Sequence, residues 1–394
     1  MKKILFPLIT LLFLAGCGTA PAAENLPSAA EAPSTETDTL VPSEEEAETE
    51  EVETEKDPHP FNEPVRGIYV SAWVAGEKTR IDDIISAIDE TELNTIVIDV
   101  KDDEGYVVWK TSSPLIDEAD SIRVAIGDMP GLIQKLHDHG IYVIGRLVCF
   151  RDGYIGDVRP DWVFHNPDGS IYKDEKDFSW IDPTNEDAVN YLFEVADACK
   201  DVGFDEIQFD YVRYPTKATE EMVGVNGAGR QRNITKFASL AKQHFEELEM
   251  PYSMDVFGIV IHAEYDRNIV GQNYADLSFE TDALSPMVYP SHYADGTYEI
   301  EYPDLQPYDI LYASMTESKE LLDEAKEKRP DDTQAIVRPW LQGFTADYLE
   351  HYIEYGPEEI RAQIQAVYDA GYEEWLVWDP AEHYPWEAFE KEAE

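Results

Sequence analysis

The sequence predicts an α/β fold, a (β/α)8 barrel of the TIM type with long loops after its strands, preceded by a disordered acidic linker. Three observations predict it. From Val65 onward, short β-branched and aromatic runs alternate about eight times with segments of helical period. Several of the runs are apolar nearly throughout, as strands are when helices cover both faces of a parallel sheet. The connections are also asymmetric, short from helix to strand and long from strand to helix.

In chain order the strands are predicted at 65–73 (VRGIYVSAW), 95–101 (TIVIDVK), 141–149 (IYVIGRLVC), 206–212 (EIQFDYV), 252–258 (YSMDVFG), 283–289 (ALSPMVY), 335–341 (AIVRPWL) and 373–379 (EEWLVWD). Helices are predicted at about 80–91, 126–139, 185–200, 230–248, 267–276, 315–328 and 357–370. Gly140, Gly203, Pro251 and Gly371 punctuate the short turns that lead into strands. The long connections, roughly 102–125, 150–184, 213–229 and 290–314, all follow strands. In a (β/α)8 barrel they gather on the C-terminal face, where active sites are built. A doubly wound open sheet would carry a Gly-x-Gly-x-x-Gly turn after an early strand, and the sequence has none.

The 394 residues carry a formal net charge of −52. Fourteen acids and three lysines precede residue 64, which leaves 68 acids against 27 bases, a net −41, for residues 64–394. A domain this acidic repels polyphosphate, so nucleic acid and anionic headgroups are poor partners, while neutral and cationic substrates remain open. High acidity also serves solubility.

The N-terminus predicts export. Lys2 and Lys3 precede an apolar run from Ile4 to Leu14 that is too short to span a bilayer, and Leu14-Ala15-Gly16-Cys17 follows. That run resembles a bacterial lipobox. The resemblance implies a signal peptide over 1–16, cleavage before Cys17, lipidation of its thiol with two or three chains, and an extracytoplasmic protein anchored to the cell membrane. Residues 17–63 then read as a spacer. They are rich in Glu, Thr, Pro, Ala and Ser, and the like-charged run Glu44–Glu51 cannot bury enough apolar surface to fold. Cys149 and Cys199 lie in apolar or amphipathic runs and are predicted to be buried free thiols.

Polar residues recur at the predicted strand ends: Asp99, Arg146, Asp210, Asp255, Tyr289, Arg338 and Asp379. Buried charges cost stability unless paired, so seven polar residues on one face, six of them charged, suggest a site rather than a core. A carboxylate-rich, aromatic-lined mouth suits glycoside hydrolysis, in which one acid protonates the leaving oxygen and a second carboxylate attacks or activates water. Asp210 is the first catalytic candidate, with Gln208 on its face and Arg213 and Tyr214 at the turn. Asp255, on the next strand, is the second. Arg213 as a positive neighbour would keep Asp210 ionised, suiting a nucleophile or charge stabiliser, whereas Met254, Val256 and Phe257 around Asp255 would raise its pKa and suit an acid/base. Asp99 has Lys101 on the same face and could simply pair with it. Substrate-binding candidates are Trp73, Asp99, Arg146, Tyr211, Arg213, Tyr289, His292, Arg338, Trp340, Trp378 and Asp379. Sugar rings stack their C–H faces on aromatic rings; Trp109, Trp162, Trp180 and Tyr293 join this aromatic set, about half of which is expected to be packing.

His137 and His139 are i, i+2 on a helix and do not share a face, so a helix C-terminal dipole role is preferred to a metal site. No HExxH, Walker loop, GxSxG or EF-hand loop appears. No metal and no cofactor are expected, and the protein is expected to be a monomer.

The runs Val65–Val70, Ile98–Asp102, Gln208–Pro215 and Ser285–Tyr293 resemble a family of bacterial glycoside-hydrolase-like domains of unassigned function in the (β/α)8 glycosidase superfamily. The resemblance covers about residues 64–385 and implies the barrel and a glycosidase-like site. The strand-end motifs also look distantly like chitinase-type barrels, although the chain has no DxxDxDxE pattern. The function expected is hydrolysis of a cell-wall or environmental polysaccharide at the cell surface. The alternative is a non-catalytic glycan-binding surface lipoprotein, and a metal-dependent deacetylase would want a His-rich cluster that is not evident.

Overall fold

The computed structural model describes residues 63–389. The predicted signal peptide, Cys17 and the acidic spacer up to residue 62 lie outside them. Among the described residues no helix is long and apolar enough to cross a membrane.

Eight parallel strands close into a barrel: β1 (Arg66–Val70), β2 (Thr95–Lys101), β3 (Tyr142–Val148), β4 (Glu206–Asp210), β5 (Tyr252–Phe257), β6 (Ala283–Met287), β7 (Trp340–Gln342) and β8 (Trp375–Trp378). Each pairs with the next, and β8 closes on β1 through Arg66 opposite Trp375. The long helices outside are α1 (Lys78–Glu90), α2 (Met129–Asp138), α3 (Glu186–Val202), α4 (Gly227–Leu248), α5 (Glu264–Val270), α6 (Pro307–Lys328) and α7 (Pro357–Asp369). The barrel and its α/β class are those predicted.

Three elements differ from expectation. The seventh strand is split into Ile336–Val337 and β7, because Pro339 has no N–H to offer a neighbour. The helix expected at 267–276 ends instead at Val270, where Gly271 takes φ 83°, and a separate turn covers Tyr274–Leu277. A Cβ on Gly271 would come within 3.0 Å of the Arg230 backbone, so the break is fixed by both φ and space. Helix α6 starts at Pro307, eight residues before the prediction, with proline in its first turn. The first long loop also carries strands. Val107–Trp109 runs antiparallel to β2 and parallel to Ile122–Ile126.

The period of two divides each strand between two cores. Ile207 and Phe209 of β4 face outward, and Phe209 packs on Phe237 and Phe245 of α4. The inward set is partly apolar, with Tyr69, Val97, Ile144, Trp340 and Leu376 in one cluster. The rest is polar and paired. Arg338 donates to Glu206 at 2.8 Å and to Glu374 at 2.7 Å, all three buried, and Tyr142 donates to Glu206 at 3.2 Å. Gln208 donates to Ser285 across the barrel at 3.2 Å. Cys149 and Cys199 are buried free thiols, as expected.

Replacing Arg338 by Met should leave two buried carboxylates without their cation. The expected loss is about 3–5 kcal/mol, measured as a shift in urea unfolding. A loss below about 1 kcal/mol would mean that the Arg338 pairs contribute little to holding the barrel together.

Candidate active site

The inward residues at the C-terminal ends of the strands form one charged tier. Arg146 of β3 is its centre. Its Nη2 and Nε donate to Asp210 Oδ2 at 2.6 and 3.0 Å, and its Nη1 donates to Asp99 Oδ1 at 2.7 Å. The second oxygen of Asp99 accepts from the Tyr69 hydroxyl at 2.7 Å. Burial pushes the Asp99 carboxyl up to about 6, against the pull of Arg146 and the Tyr69 hydrogen bond.

Asp210 is held from two sides. Besides Arg146, the backbone N–H of Tyr211 donates to Oδ1 at 2.5 Å. Tyr211 takes φ 55°, a left-handed conformation uncommon for a non-glycine residue, so β4 ends in a sharp turn. That turn presents the Tyr211 ring to the guanidinium groups of Arg151 and Arg213, 5.3 and 5.1 Å from its centre.

Asp255 occupies a different setting one strand away. Its Oδ1 accepts from Trp340 Nε1 at 2.8 Å. Burial raises its carboxyl well above the ordinary range, and the negative charge of Asp210 adds to the effect. The β4–β5 register pairs Phe209 with Met254, so the next residue on each strand is Asp210 and Asp255. Strand spacing of about 4.8 Å sets the scale of their approach. Tyr289 follows β6, and its buried hydroxyl is pushed up by desolvation and by the charges of both aspartates.

These groups line a cavity of about 470 Å³ at the C-terminal end of the barrel. Trp378 forms one wall. It stacks on Tyr69 at 4.0 Å between ring centres, meets Trp340 edge-on at 5.9 Å and lies 5.1 Å from the Arg146 guanidinium. A larger recess, about 580 Å³, is lined by residues at the starts of β7 and β8 and by α6, and includes Glu373 and Glu374. It lies at the other end of the strands, away from the aspartate pair. In a (β/α)8 barrel that end serves stability and the C-terminal end holds the chemistry.

Of the residues singled out from the sequence, Asp210, Asp255, Arg146, Tyr211, Arg213, Tyr289, His292, Trp340 and Trp378 line the cavity together. Burial lowers the His292 pKa, which favours the neutral ring. Four others are placed elsewhere. Trp73 is 57% exposed, with the Arg123 guanidinium 5.7 Å from its ring, on a short helix outside the cavity. Asp99 is buried behind Arg146. Arg338 belongs to the deeper tier with Glu206 and Glu374, because alternate inward residues of one strand lie at different depths. Asp379 caps the turn after β8, accepting from the N–H groups of Ala381 and His383 at 2.9 and 2.8 Å.

Two expected pairings are corrected. The cation on Asp210 is Arg146, not Arg213, because parallel register brings β3 beside β4. Lys101 does not pair with Asp99. It is bound to Asp152 at 2.7 Å in a buried pair. Of the wider aromatic set, Trp109, Trp162 and Tyr293 belong to the outer core.

Sequence reasoning missed Asp103 and Glu104 on the loop after β2, Arg151, Lys176 and Phe178 on the loop after β3, and Phe257, Gln272 and Met287. A charge immediately past a strand end, as in Cys149-Phe150-Arg151, is the one signal that could have flagged a member of this group. His137 and His139 are bound to Asp205 and Asp89 at 2.9 and 2.8 Å. Among the described residues no group of three or more His, Cys, Asp or Glu side chains is placed to hold a metal ion.

Residues 67–384 match the family described as "Putative glycosyl hydrolase domain". Among solved structures, the glycoside hydrolase domain of PgaB (BpsB) from Bordetella bronchiseptica aligns with a TM-score of 0.58 at 12% identity, over 84% of this chain and 100% of that one. TtGalA, an alpha-galactosidase from Thermus thermophilus, aligns with a TM-score of 0.51 at 13% identity, over 82% of this chain and 60% of that one. A hypothetical protein from Ruminiclostridium thermocellum is 34% identical over 48% of this chain and 97% of that one, with a TM-score of 0.44. The likeness to the first two shows the fold. No curated protein matches.

The raised Asp255 carboxyl has a consequence for stability. The folded state keeps its proton at a pH where the unfolded chain has released it, so stability falls as pH rises above the unfolded value near 4. Asp255→Asn retains an oxygen for Trp340 and does not titrate. The variant should therefore gain stability relative to wild type as pH rises from 4 to 7, read from paired thermal unfolding. A difference that is constant with pH would place Asp255 in a solvated setting.

Proposed function

The chain belongs to this family of glycosyl hydrolase domains, and from that membership we propose that it is a glycoside hydrolase whose reaction is carried by Asp210 and Asp255. The observation that carries the proposal is the contrast between the two carboxyls. Asp210 is ion-paired with Arg146 and accepts the Tyr211 N–H. Asp255 is desolvated beneath Trp340, which favours the protonated form. Adjacent carboxyls in such different settings can divide the roles of nucleophile and acid.

Asp255 then delivers its proton to the leaving glycosidic oxygen. Asp210 attacks the anomeric carbon or stabilises the oxocarbenium-like charge. An ionised carboxylate has about four acceptor positions, so the three hydrogen bonds to Asp210 leave one for the reacting centre. Trp378 and Tyr211 offer faces for sugar C–H stacking. The substrate we propose is a cell-wall or environmental polysaccharide, met at the cell surface by a protein held through a lipid on Cys17.

The chain without residues 1–17, assayed against cell-wall and plant glycans, should release new reducing ends. Asp210→Asn should lower the rate by several orders of magnitude. Asp255→Asn should lose less on substrates with good leaving groups, which need little protonation, and should lose the fall in rate at high pH that a required acid imposes. If both variants fold and keep near-normal turnover, the pair is not catalytic. If wild type binds glycan and cleaves none, the protein is a glycan-binding lipoprotein instead.

Cys17→Ser tests the anchor separately. The expected result is an uncleaved precursor or protein released into the medium, followed by fractionation and immunoblotting. A variant as firmly membrane-bound as wild type removes the lipid from the proposal.

A further inference from the structure

Arg213 is a guanidinium held by aromatic rings rather than by acid. It lies 4.6 Å from the centre of Phe257, 4.7 Å from Trp180 and 5.1 Å from Tyr211, and donates from Nη1 to the Tyr214 carbonyl at 3.1 Å. Among the described residues no carboxylate forms an ion pair with it. Burial lowers its pKa to about 10, as expected for a charge that little compensates. The absence of an acid partner is not for want of acids, which outnumber bases by 41 after residue 63.

Its position gives this a meaning. Arg213 lines both the main cavity and a side chamber of about 170 Å³, and so does Lys176, an exposed residue with no ion pair among the described residues. The remaining cations of the two spaces are already matched. Arg146 is on Asp99 and Asp210, Arg151 is on Asp174 at 2.9 Å, and Lys217 is on Glu175 at 3.1 Å. Arg213 and Lys176 thus border both spaces without an ion pair among the described residues, inside a strongly acidic domain.

We infer that the substrate is an acidic glycan, whose sugar carboxylate is received by Arg213 and Lys176 at the seam between the cavity and the side chamber. This rests on the glycoside hydrolase reading of the same site. A carboxylate carries a single charge, so Asp210, Asp103 and Glu175 nearby repel it less than a phosphate monoester, and its planar fork matches the guanidinium. The rings around Arg213 also exclude water, which strengthens a charge-assisted hydrogen bond.

The test uses the full chain in detergent and matched pairs of polymers. Polygalacturonate and peptidoglycan glycan strands are each compared with their carboxyl-reduced counterparts, with dextran sulfate as a third arm. Binding is read from tryptophan fluorescence, since Trp180 and Trp378 border the site, and cleavage from new reducing ends. One acidic polymer should bind at least tenfold more tightly than its reduced form, and the advantage should shrink with salt. Arg213→Gln should bring the ratio of acidic to reduced affinity close to one. Arg213→Lys should restore part of it. If Arg213→Gln unfolds, Lys176→Gln at its exposed position should still reduce the advantage severalfold. Equal affinity for both members of every pair, no binding to any, preference for dextran sulfate, or equal weakening of acidic and reduced forms by Arg213→Gln overturns the inference. The two readings separate cleanly. An acid preference without cleavage sinks the hydrolase, and cleavage of reduced polymers without acid preference sinks only the acidic substrate.

Discussion

Closing eight parallel strands sends every second side chain into a space that water cannot freely enter, and the rest of this molecule is arranged around how that space tolerates charge. Two arginines do it. Arg338 holds Glu206 and Glu374 in the deeper tier, and Arg146 holds Asp99 and Asp210 in the upper one. In each tier one guanidinium spans two carboxylates from different strands. Such pairs repay their desolvation only when geometry is good and the remaining acceptors are filled. Here Tyr69 fills Asp99, Tyr142 reaches Glu206, and Tyr211 N–H fills Asp210.

The upper tier gains a directional property from this arrangement. Asp210 and Asp255 stand on adjacent strands at the same end of the barrel, yet Arg146 serves the first and an indole N–H serves the second. The first is ion-paired, and burial raises the pKa of the second. Trp378 contributes to both sides. It packs on Tyr69, which orients Asp99, and meets Trp340, which orients Asp255. A change at this one ring would thus reach both carboxyls through their supports.

Bulk charge and site charge also part company. The domain as a whole carries a large excess of acids, and from composition alone an anionic ligand looks excluded. At the cavity, however, acids and bases are nearly balanced, and the seam with the side chamber carries two cations without acid partners. Long-range repulsion of an anion falls off within about 10 Å at ordinary salt, whereas a buried guanidinium acts at contact. A weakly charged anion is therefore compatible with a strongly acidic surface.

The barrel was legible in the sequence because it depends on periodicity, which is local. Ile207 and Phe209 alternating with Gln208 and Asp210 mark a strand with two faces whatever surrounds it, and the Gly- and Pro-marked turns give the order of elements. Loop length pointed in the same way to the end of the barrel that holds the cavity, which both aspartates line. Boundaries were less legible where one residue overrides a pattern, as Pro339 and Gly271 do. The partners were not legible at all. Arg213 stands three residues from Asp210 and looks like its cation, but a turn with Tyr211 at positive φ carries it off to Trp180 and Phe257. Arg146, 64 residues away, takes its place because β3 lies alongside β4. Arg338 likewise looked equivalent to Asp210 as a charge on a strand, and its depth in the closed barrel separates it; Asp99 shares the tier of Asp210 but is taken up by Arg146 and Tyr69. By itself the sequence determined the fold class, the order of its strands and the end that carries the long loops. Which charge meets which was decided by the tertiary structure, because electrostatic pairing depends on distance through space, and closure of the barrel sets that distance.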